Sequence, residues 1–97
     1  IVMHGAVVNA GAVVGRNCII NSLALVEHDV VVGDHCHIST AAAINSGVTI
    51  GDGTFIGSQA CVRQGLRIGA GCVIGMGERV RKNCDGGEWL PTMARHT

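Results

Sequence analysis

The sequence predicts an all-β fold: a left-handed parallel β-helix shaped as a triangular prism, with a short C-terminal cap. Three observations predict it. Val or Ile occupies every sixth position from Val2 to Val80. Small residues and glycines recur at fixed places within the same period. The chain has fifteen glycines but only one Phe, one Trp and no Tyr, so its interior must be narrow and filled by small aliphatic side chains.

The strands follow from the period of six. Apolar residues of a helix recur every three or four positions, and tight hairpins favour the turn dipeptide Asn-Gly, which does not occur here. A six-residue period with a β-branched anchor is typical of parallel β-helices, where each hexapeptide forms one strand and one corner, and three form a coil of eighteen residues. The fourteen anchors, expected to point inward, are Val2, Val8, Val14, Ile20, Val26, Val32, Ile38, Ile44, Ile50, Ile56, Val62, Ile68, Ile74 and Val80.

A second inward position lies two residues before each anchor and is mostly small. Cys18, Cys36 and Cys72 occupy it at separations that are multiples of eighteen residues, with Thr54 at the step between. We expect these four side chains to stack on one wall, about 4.8 Å apart. Because the five cysteines include no CxxC pair, we interpret them as buried thiols in a reducing compartment, which favours a cytoplasmic location.

The C-terminal element is the tail "GGEWLPTMARHT". The period of six fails at Gly86, within this tail. An open end of a solenoid exposes core and unpaired strand edges, so a covering segment is expected there. We therefore assign residues 1–83 to the β-helix and residues 84–97 to a C-terminal cap or tail.

Charge and hydropathy exclude two classes of partner. Seven basic and seven acidic residues give a formal net charge of zero, and there is no long basic run, which argues against nucleic-acid binding. No apolar stretch approaches the length of a membrane span, and no signal segment opens the chain. We predict neither nucleic acid nor membrane as a partner.

The stretch "ALVEHDVVVGDHCHIS" holds three of the five histidines. His28 should lie at a corner between Glu27 and Asp29, either of which could fix its tautomer and raise its basicity, as a general base near neutral pH requires. His37 precedes an anchor and should point outward from a wall. These two histidines are nine residues apart, half a coil, so they can meet only between copies of the chain; a trimer of prisms would bring them together.

A zinc site is an alternative use of these histidines. Hexapeptide β-helices of the gamma carbonic anhydrase type bind zinc through three histidines at a subunit interface, two of them five residues apart. Here His28, His35 and His37 are separated by seven and two residues, which does not fit that pattern. We therefore predict no metal, and we interpret His35 as an ordinary exposed corner residue.

The run "NSLALVEHDVVVGDHCHIS" resembles the sugar O- and N-acetyltransferases related to sialic-acid and bacillosamine biosynthesis, within the hexapeptide-repeat acyltransferase superfamily. The spacing Asn-x6-His-[Asp/Glu]-x7-His distinguishes this family within the superfamily. The resemblance extends from about Ala6 to Val80. The resemblance implies that His28 is the catalytic base and that the following Asp29 increases its basicity. It also implies that Asn21 and His37 contact the substrate.

The same resemblance implies a homotrimer that uses acetyl-CoA as co-substrate and a small-molecule acceptor. The acceptor group would be an amine or a hydroxyl, in a sugar or nucleotide sugar. The coenzyme would lie along the later coils, where small residues leave room and arginines, Arg63 and Arg81 among them, could bind its phosphates. The residues assigned to it are Ser46, Gly57, Gly65, Arg67, Gly75 and Met76.

Two features of the chain differ from that family. The family usually carries an N-terminal α/β domain that binds the nucleotide sugar, which these residues do not include, and "LPTMARH" stands where the family usually has Gly-x-Pro-Ala-Lys. The chain is thus expected to be either a fragment or a minimal enzyme with another acceptor. A non-catalytic β-helix, acting as a scaffold or ligand-binding module, is the alternative function.

Overall fold

The computed structural model describes residues 1–90, which form a parallel β-helix with three sheets. This confirms the all-β prism predicted from the period of six. Every strand within these residues is two residues long. The strands are β1 (Val7–Val8), β2 (Val13–Val14), β3 (Ile19–Ile20), β4 (Leu25–Val26), β5 (Val31–Val32), β6 (His37–Ile38), β7 (Ala43–Ile44), β8 (Thr49–Ile50), β9 (Phe55–Ile56), β10 (Cys61–Val62), β11 (Arg67–Ile68), β12 (Val73–Ile74), β13 (Arg79–Val80) and β14 (Trp89–Leu90).

Successive strands lie on successive walls of the prism, so each sheet contains every third strand. Sheet 1 has the order β1-β4-β7-β10-β13, sheet 2 the order β2-β5-β8-β11, and sheet 3 the order β3-β6-β9-β12-β14. All pairs are parallel, and Val8 lies opposite Val26, eighteen residues further on. No helix that could cross a bilayer occurs in the described part of the chain.

Two-residue turns form the three corners. Corner A joins sheet 3 to sheet 1, corner B joins sheet 1 to sheet 2, and corner C joins sheet 2 to sheet 3. The second residue of each turn has a positive φ, and six of these residues are not glycine: Asn17, Leu23, Asp29, His35, Ala41 and Gln59. Corner A contains residues 4–5, 22–23, 40–41, 58–59 and 76–77; corner B contains 10–11, 28–29, 46–47 and 64–65; corner C contains 16–17, 34–35, 52–53, 70–71 and 86–87.

The anchors fill the prism as predicted. Every anchor from Ile20 to Val80 is buried. Val2 and Val8 are exposed and Val14 is only half-buried, because they lie in the first coil, which has a neighbouring coil on one side only. The core therefore begins at the second coil.

The stacked small residues also point inward, and each donates a hydrogen bond to a carbonyl of the following coil. This bond is possible because each of these side chains follows a turn of corner C and faces the same corner in the following coil. Since Cys18, Cys36 and Cys72 are buried, their prediction as inward fillers is confirmed. The bonds run from Cys18 Sγ to Gly33 O (3.0 Å), Cys36 Sγ to Gly51 O (3.2 Å), Thr54 Oγ1 to Gly69 O (2.7 Å) and Cys72 Sγ to Asp85 O (2.9 Å).

The final described coil is two residues shorter than the others. Cys84 lies opposite Ile68, and Leu90 lies opposite Ile74, at separations of sixteen residues rather than eighteen. This shift explains why the period of six fails at Gly86. The coil thus continues past the expected boundary at residue 83, with β14 pairing on β12. Residues 91–97 of the expected cap lie outside the described residues.

Candidate active site

His28 is the first residue of its turn at corner B, as the sequence predicted. Its side chain is 60% exposed. The backbone around it is fixed, because the His28 carbonyl accepts a hydrogen bond from the Gly47 N–H of the next coil at 3.1 Å. An exposed imidazole on a rigid corner can reach a bound molecule without rearrangement of the fold.

Glu27 supplies the carboxylate nearest to this imidazole. Glu27 Oε1 lies 3.3 Å from His28 Nδ1, and the same oxygen accepts a hydrogen bond from Asn9 Nδ2 at 2.8 Å. Asp29 has a φ of 60° at the second turn position, and its side chain lies over Gly11, where a β-carbon would collide with Oδ1. Of the two acidic neighbours that the sequence offered, Glu27 is therefore the one that pairs with His28.

Glu27 belongs to a column of polar side chains that follow the anchors of sheet 1. The column runs along corner B, with its members eighteen residues apart. At the other corners the corresponding place is often glycine, so the pattern was available in the sequence but was not recognised. The members of this polar column are Asn9, Glu27, Asn45, Arg63 and Arg81.

A cleft of about 830 Å³ lies on the outer face of sheet 1 at the later coils. Its positive charge comes from Arg63, Arg79 and Arg81, and the half-exposed Cys61 lies on its floor. Asn45 Nδ2 is 3.6 Å from Cys61 Sγ and donates to the Val62 carbonyl at 2.9 Å. Sequence reasoning missed Arg79, although its place opposite Cys61, eighteen residues on, puts it on this face.

A shallow groove lies along corner B, next to the turn that carries His28, and Gln64 lines both this groove and the cleft. Two residues assigned to the coenzyme, Ser46 and Gly65, line the groove together with Asp29. No atom lies within 4 Å of the place where a β-carbon on Gly65 would stand, so the groove is open there. These two positions and the general-base candidate are on one edge of the prism.

Other assigned residues lie on different parts of the prism. Asn21, Gly57, Gly75 and Met76 flank or form corner A, and Asn21 Oδ1 accepts the Ser22 N–H at 2.8 Å. Gly57 was expected to leave room for the coenzyme. Instead it is buried, and a β-carbon there would stand 2.6 Å from the Met76 nitrogen, so the next coil already fills that space.

Arg67 is also on another wall. It is exposed on β11 in sheet 2, opposite Thr49, whereas the arginine-lined cleft is on sheet 1. Outward residues eighteen positions apart share a wall, whereas Arg67 is six positions from both Cys61 and Val73, which lie on the other two walls. Arg67 therefore does not join the cleft within one chain.

His37 points outward from sheet 3. Its ring makes an edge contact with Phe55, with centroids 5.1 Å apart. His37 Nε2 is buried and has no hydrogen-bond partner among residues 1–90. The outward row of this sheet is apolar on both sides of it: Ile19, His37, Phe55, Val73 and Trp89.

The two histidines do not meet within one chain, since one lies at corner B and the other on the opposite sheet 3. Nor do three His, Cys, Asp or Glu side chains converge as a metal site would need, within the part of the chain that the structure describes.

Two family models match the chain. A model for bacterial transferase hexapeptides (six repeats) matches residues 29–64, and a model for the hexapeptide repeat of succinyl-transferase matches residues 47–84. No curated protein matches the chain in a sequence search.

Solved structures also match the chain. The acetyltransferase domain of PglB from Neisseria gonorrhoeae FA1090 is 35% identical, with a TM-score of 0.90 over 91% of this chain and 43% of that chain. The same domain in complex with acetyl coenzyme A is 33% identical, with a TM-score of 0.75 over 92% and 46%. PerB from Caulobacter crescentus, in complex with CoA and GDP-perosamine, is 25% identical, with a TM-score of 0.55 over 84% and 48%.

The chain spans less than half the length of each of these proteins. The repeat, the three-sheet prism and both family models nevertheless agree, and together the models extend over residues 29–84. The chain belongs to the hexapeptide-repeat transferases.

Proposed function

We propose that this chain transfers the acetyl group of acetyl-CoA to an amine or hydroxyl of a sugar or nucleotide sugar, with His28 as general base. The observation that carries the proposal is an exposed corner imidazole, paired with a carboxylate, on the edge that leads to an arginine-lined cleft. The similarity to the PglB domain, whose structure holds acetyl coenzyme A, supports the class of co-substrate.

The reaction is a direct attack. The acceptor loses a proton to His28 as its nitrogen or oxygen bonds to the carbonyl carbon of the thioester. The tetrahedral intermediate then expels the thiolate, which takes the proton back from the imidazolium. A backbone N–H at a turn of corner B, or His37 of a neighbouring copy, would stabilise the oxyanion. No covalent enzyme intermediate is needed, and the four buried cysteines are unsuited to form one. Cys61 is half-exposed in the cleft, contrary to the expectation that all five thiols are buried, and the proposed reaction gives it no role.

The cleft on sheet 1 is the place we propose for the phosphates of the coenzyme. Arginine binds phosphate through paired N–H groups, and Arg63, Arg79 and Arg81 all line this cleft. The open groove past Ser46 and Gly65 would lead the narrow pantetheine arm from there to His28. This assignment replaces Arg67 with Arg79, because Arg67 is on another wall.

We also propose a homotrimer whose sites lie between copies. Sheets 1 and 3 meet at corner A, where Leu23 is 64% exposed. If corner A faces the three-fold axis, sheet 1 of one copy opens toward the apolar row of sheet 3 in the next. His37 would then face the edge that carries His28, and its buried Nε2 would gain a partner.

An acceptor screen tests the function. Acetyl-CoA is offered with nucleotide-linked amino sugars, free sugars and simple amines, and release of the CoA thiol is followed. The proposal expects acceptor-dependent release, with the acetylated acceptor seen by mass spectrometry. Binding of acetyl-CoA without acetylation of any acceptor would point to a non-catalytic ligand-binding module instead.

A further inference from the structure

We propose that Glu27, anchored by Asn9, is the positioning residue of His28, and that it holds the imidazole with its proton on Nδ1. This inference rests on the proposed function for its catalytic meaning. The juxtaposition of the three side chains is independent of it. The resemblance assigns the acidic role to Asp29, so the structure and the family pattern point to different carboxylates.

The contact geometry favours Glu27. Its Oε1 is 3.3 Å from His28 Nδ1, an ion-pair contact just longer than a hydrogen bond, and catalytic contacts of this kind tighten into hydrogen bonds when substrate binds. The Glu27 side chain is only 28% exposed, so water screens the interaction less than it would screen a fully exposed pair. A carboxylate in this place accepts the Nδ1–H and leaves Nε2 as the nitrogen that takes the acceptor's proton.

Asn9 makes the carboxylate rigid. It occupies the place of Glu27 one coil earlier, and its Nδ2 donates to Glu27 Oε1 at 2.8 Å. The amide therefore holds the same oxygen that faces His28. Together these contacts form a relay of amide, carboxylate and imidazole across two adjacent coils of the prism.

Asp29 has a different task in this arrangement. Its positive φ and its place over Gly11 make it part of the turn. The residues stacked on His28 in the neighbouring coils are Ala10 and Ser46, and neither is titratable. Glu27 and Asp29 are thus the charged groups flanking His28 at this corner, and Glu27 is the one in contact with the ring.

The tautomer of His28 is the test, because it is measured without substrate. Long-range ¹H–¹⁵N spectra distinguish Nδ1–H from Nε2–H in a neutral imidazole, and the His28 signal is assigned by its loss in His28→Asn. We expect the Nδ1–H form to dominate in the wild type and Nε2–H to dominate in Glu27→Ala. Asn9→Ala should give an intermediate population, and the matched control Asp29→Asn should keep the wild-type tautomer.

Glu27→Gln keeps the shape of the side chain, so it provides the same test if the alanine variant misfolds. With the negative charge gone, it too should lose Nδ1–H population. Where transfer activity is measured, Glu27→Ala should lower kcat by about tenfold, a part of the usual worth of a general base, and leave KM for acetyl-CoA unchanged.

The tautomer measurement distinguishes a failure of the positioning inference from a failure of the proposed function. A tautomer that follows Asp29 and ignores Glu27 would overturn the positioning inference, whatever the activity. A tautomer that follows Glu27 in a protein that acetylates nothing would uphold the inference and remove the proposed function. An Nε2–H tautomer in the wild type would also overturn the inference.

Discussion

At the scale of single residues, replacing His28 should slow the reaction without destabilising the fold. It is exposed at a corner, so His28→Ala should change the free energy of unfolding by no more than about 0.5 kcal/mol. If it is the base, the same change should slow acetyl transfer by roughly a hundredfold or more. Steady-state kinetics and chemical denaturation measure the two effects.

His35 is the control for that variant, because it too lies in an exposed turn, at corner C. His35→Ala should leave transfer near the wild-type rate. Loss of transfer in His35→Ala, with transfer retained in His28→Ala, would show that the motif has been assigned to the wrong histidine.

A second residue-scale prediction concerns the turn at Ala41. Its φ is 59°, a conformation that costs an L-residue with a β-carbon roughly 1 kcal/mol. Ala41→Gly should therefore raise the free energy of unfolding by about 0.5–1 kcal/mol, measured by urea denaturation. Ala43, two residues on in β7, is the matched control, and glycine there should destabilise. A lower unfolding free energy for Ala41→Gly would contradict the turn geometry.

At the scale of elements, the inward stack of thiols and one hydroxyl satisfies carbonyls at corner C. Thr54 has the fullest role, since its Oγ1 donates to Gly69 O at 2.7 Å and accepts the Cys72 N–H at 3.2 Å. Thr54→Val keeps the shape but leaves the part-buried Gly69 carbonyl and the buried Cys72 N–H unpaired, which should cost about 1–3 kcal/mol. Thermal denaturation checks this. Thr49→Val, on the exposed face of β8, should be nearly neutral.

The shortened last coil carries a pH-dependent element. Burial raises the pKa of Cys84 to about 11 from its ordinary 9.0. The stability that this thiol contributes is full below pH 9.0 and is lost as pH rises toward 11, because the unfolded chain loses the proton first. Burial also raises the pKa of Cys36, with the same sign.

We therefore expect Cys84→Ala to flatten the alkaline fall in stability. Between about pH 8 and pH 10.5, the wild type should lose roughly 2 kcal/mol more unfolding free energy than the variant. Guanidinium denaturation at the two pH values gives both numbers, with Cys36 present in each protein. Equal losses in the two proteins would mean that Cys84 is not protected from ionisation.

At the scale of the whole molecule, the site divided between corner B and sheet 3 predicts a trimer in solution. Phe55 is exposed in the apolar row of sheet 3, so Phe55→Glu should dissociate the trimer and abolish transfer while circular dichroism stays unchanged. Thr49→Glu, on sheet 2, should leave both intact. Light scattering measures the mass, and a monomeric wild type at working concentration would remove the shared-site proposal.

The sequence predicted the fold almost completely, because each hexapeptide repeats one physical solution and a β-branched anchor marks it. It predicted the corner position of His28 and the outward direction of His37 for the same reason. It did not predict the partner of His28, which depends on a side chain one coil earlier, at Asn9. The separate wall of Arg67 and the filled space at Gly57 were not foreseen, because wall identity and stacking contacts appear only when residues eighteen apart are compared.

Because a coil has eighteen residues, the fold and the site should tolerate deletions of different lengths. Removing one hexapeptide would leave every later anchor pointing inward, so the prism could still form. Yet that deletion would turn everything after it by one wall, and Arg79 would leave sheet 1 for sheet 3. Removing three hexapeptides would restore the walls and only shorten the prism. The prism can thus gain or lose length in steps of six, but its cleft survives only steps of eighteen, so evolution can lengthen or shorten such a site only by whole coils.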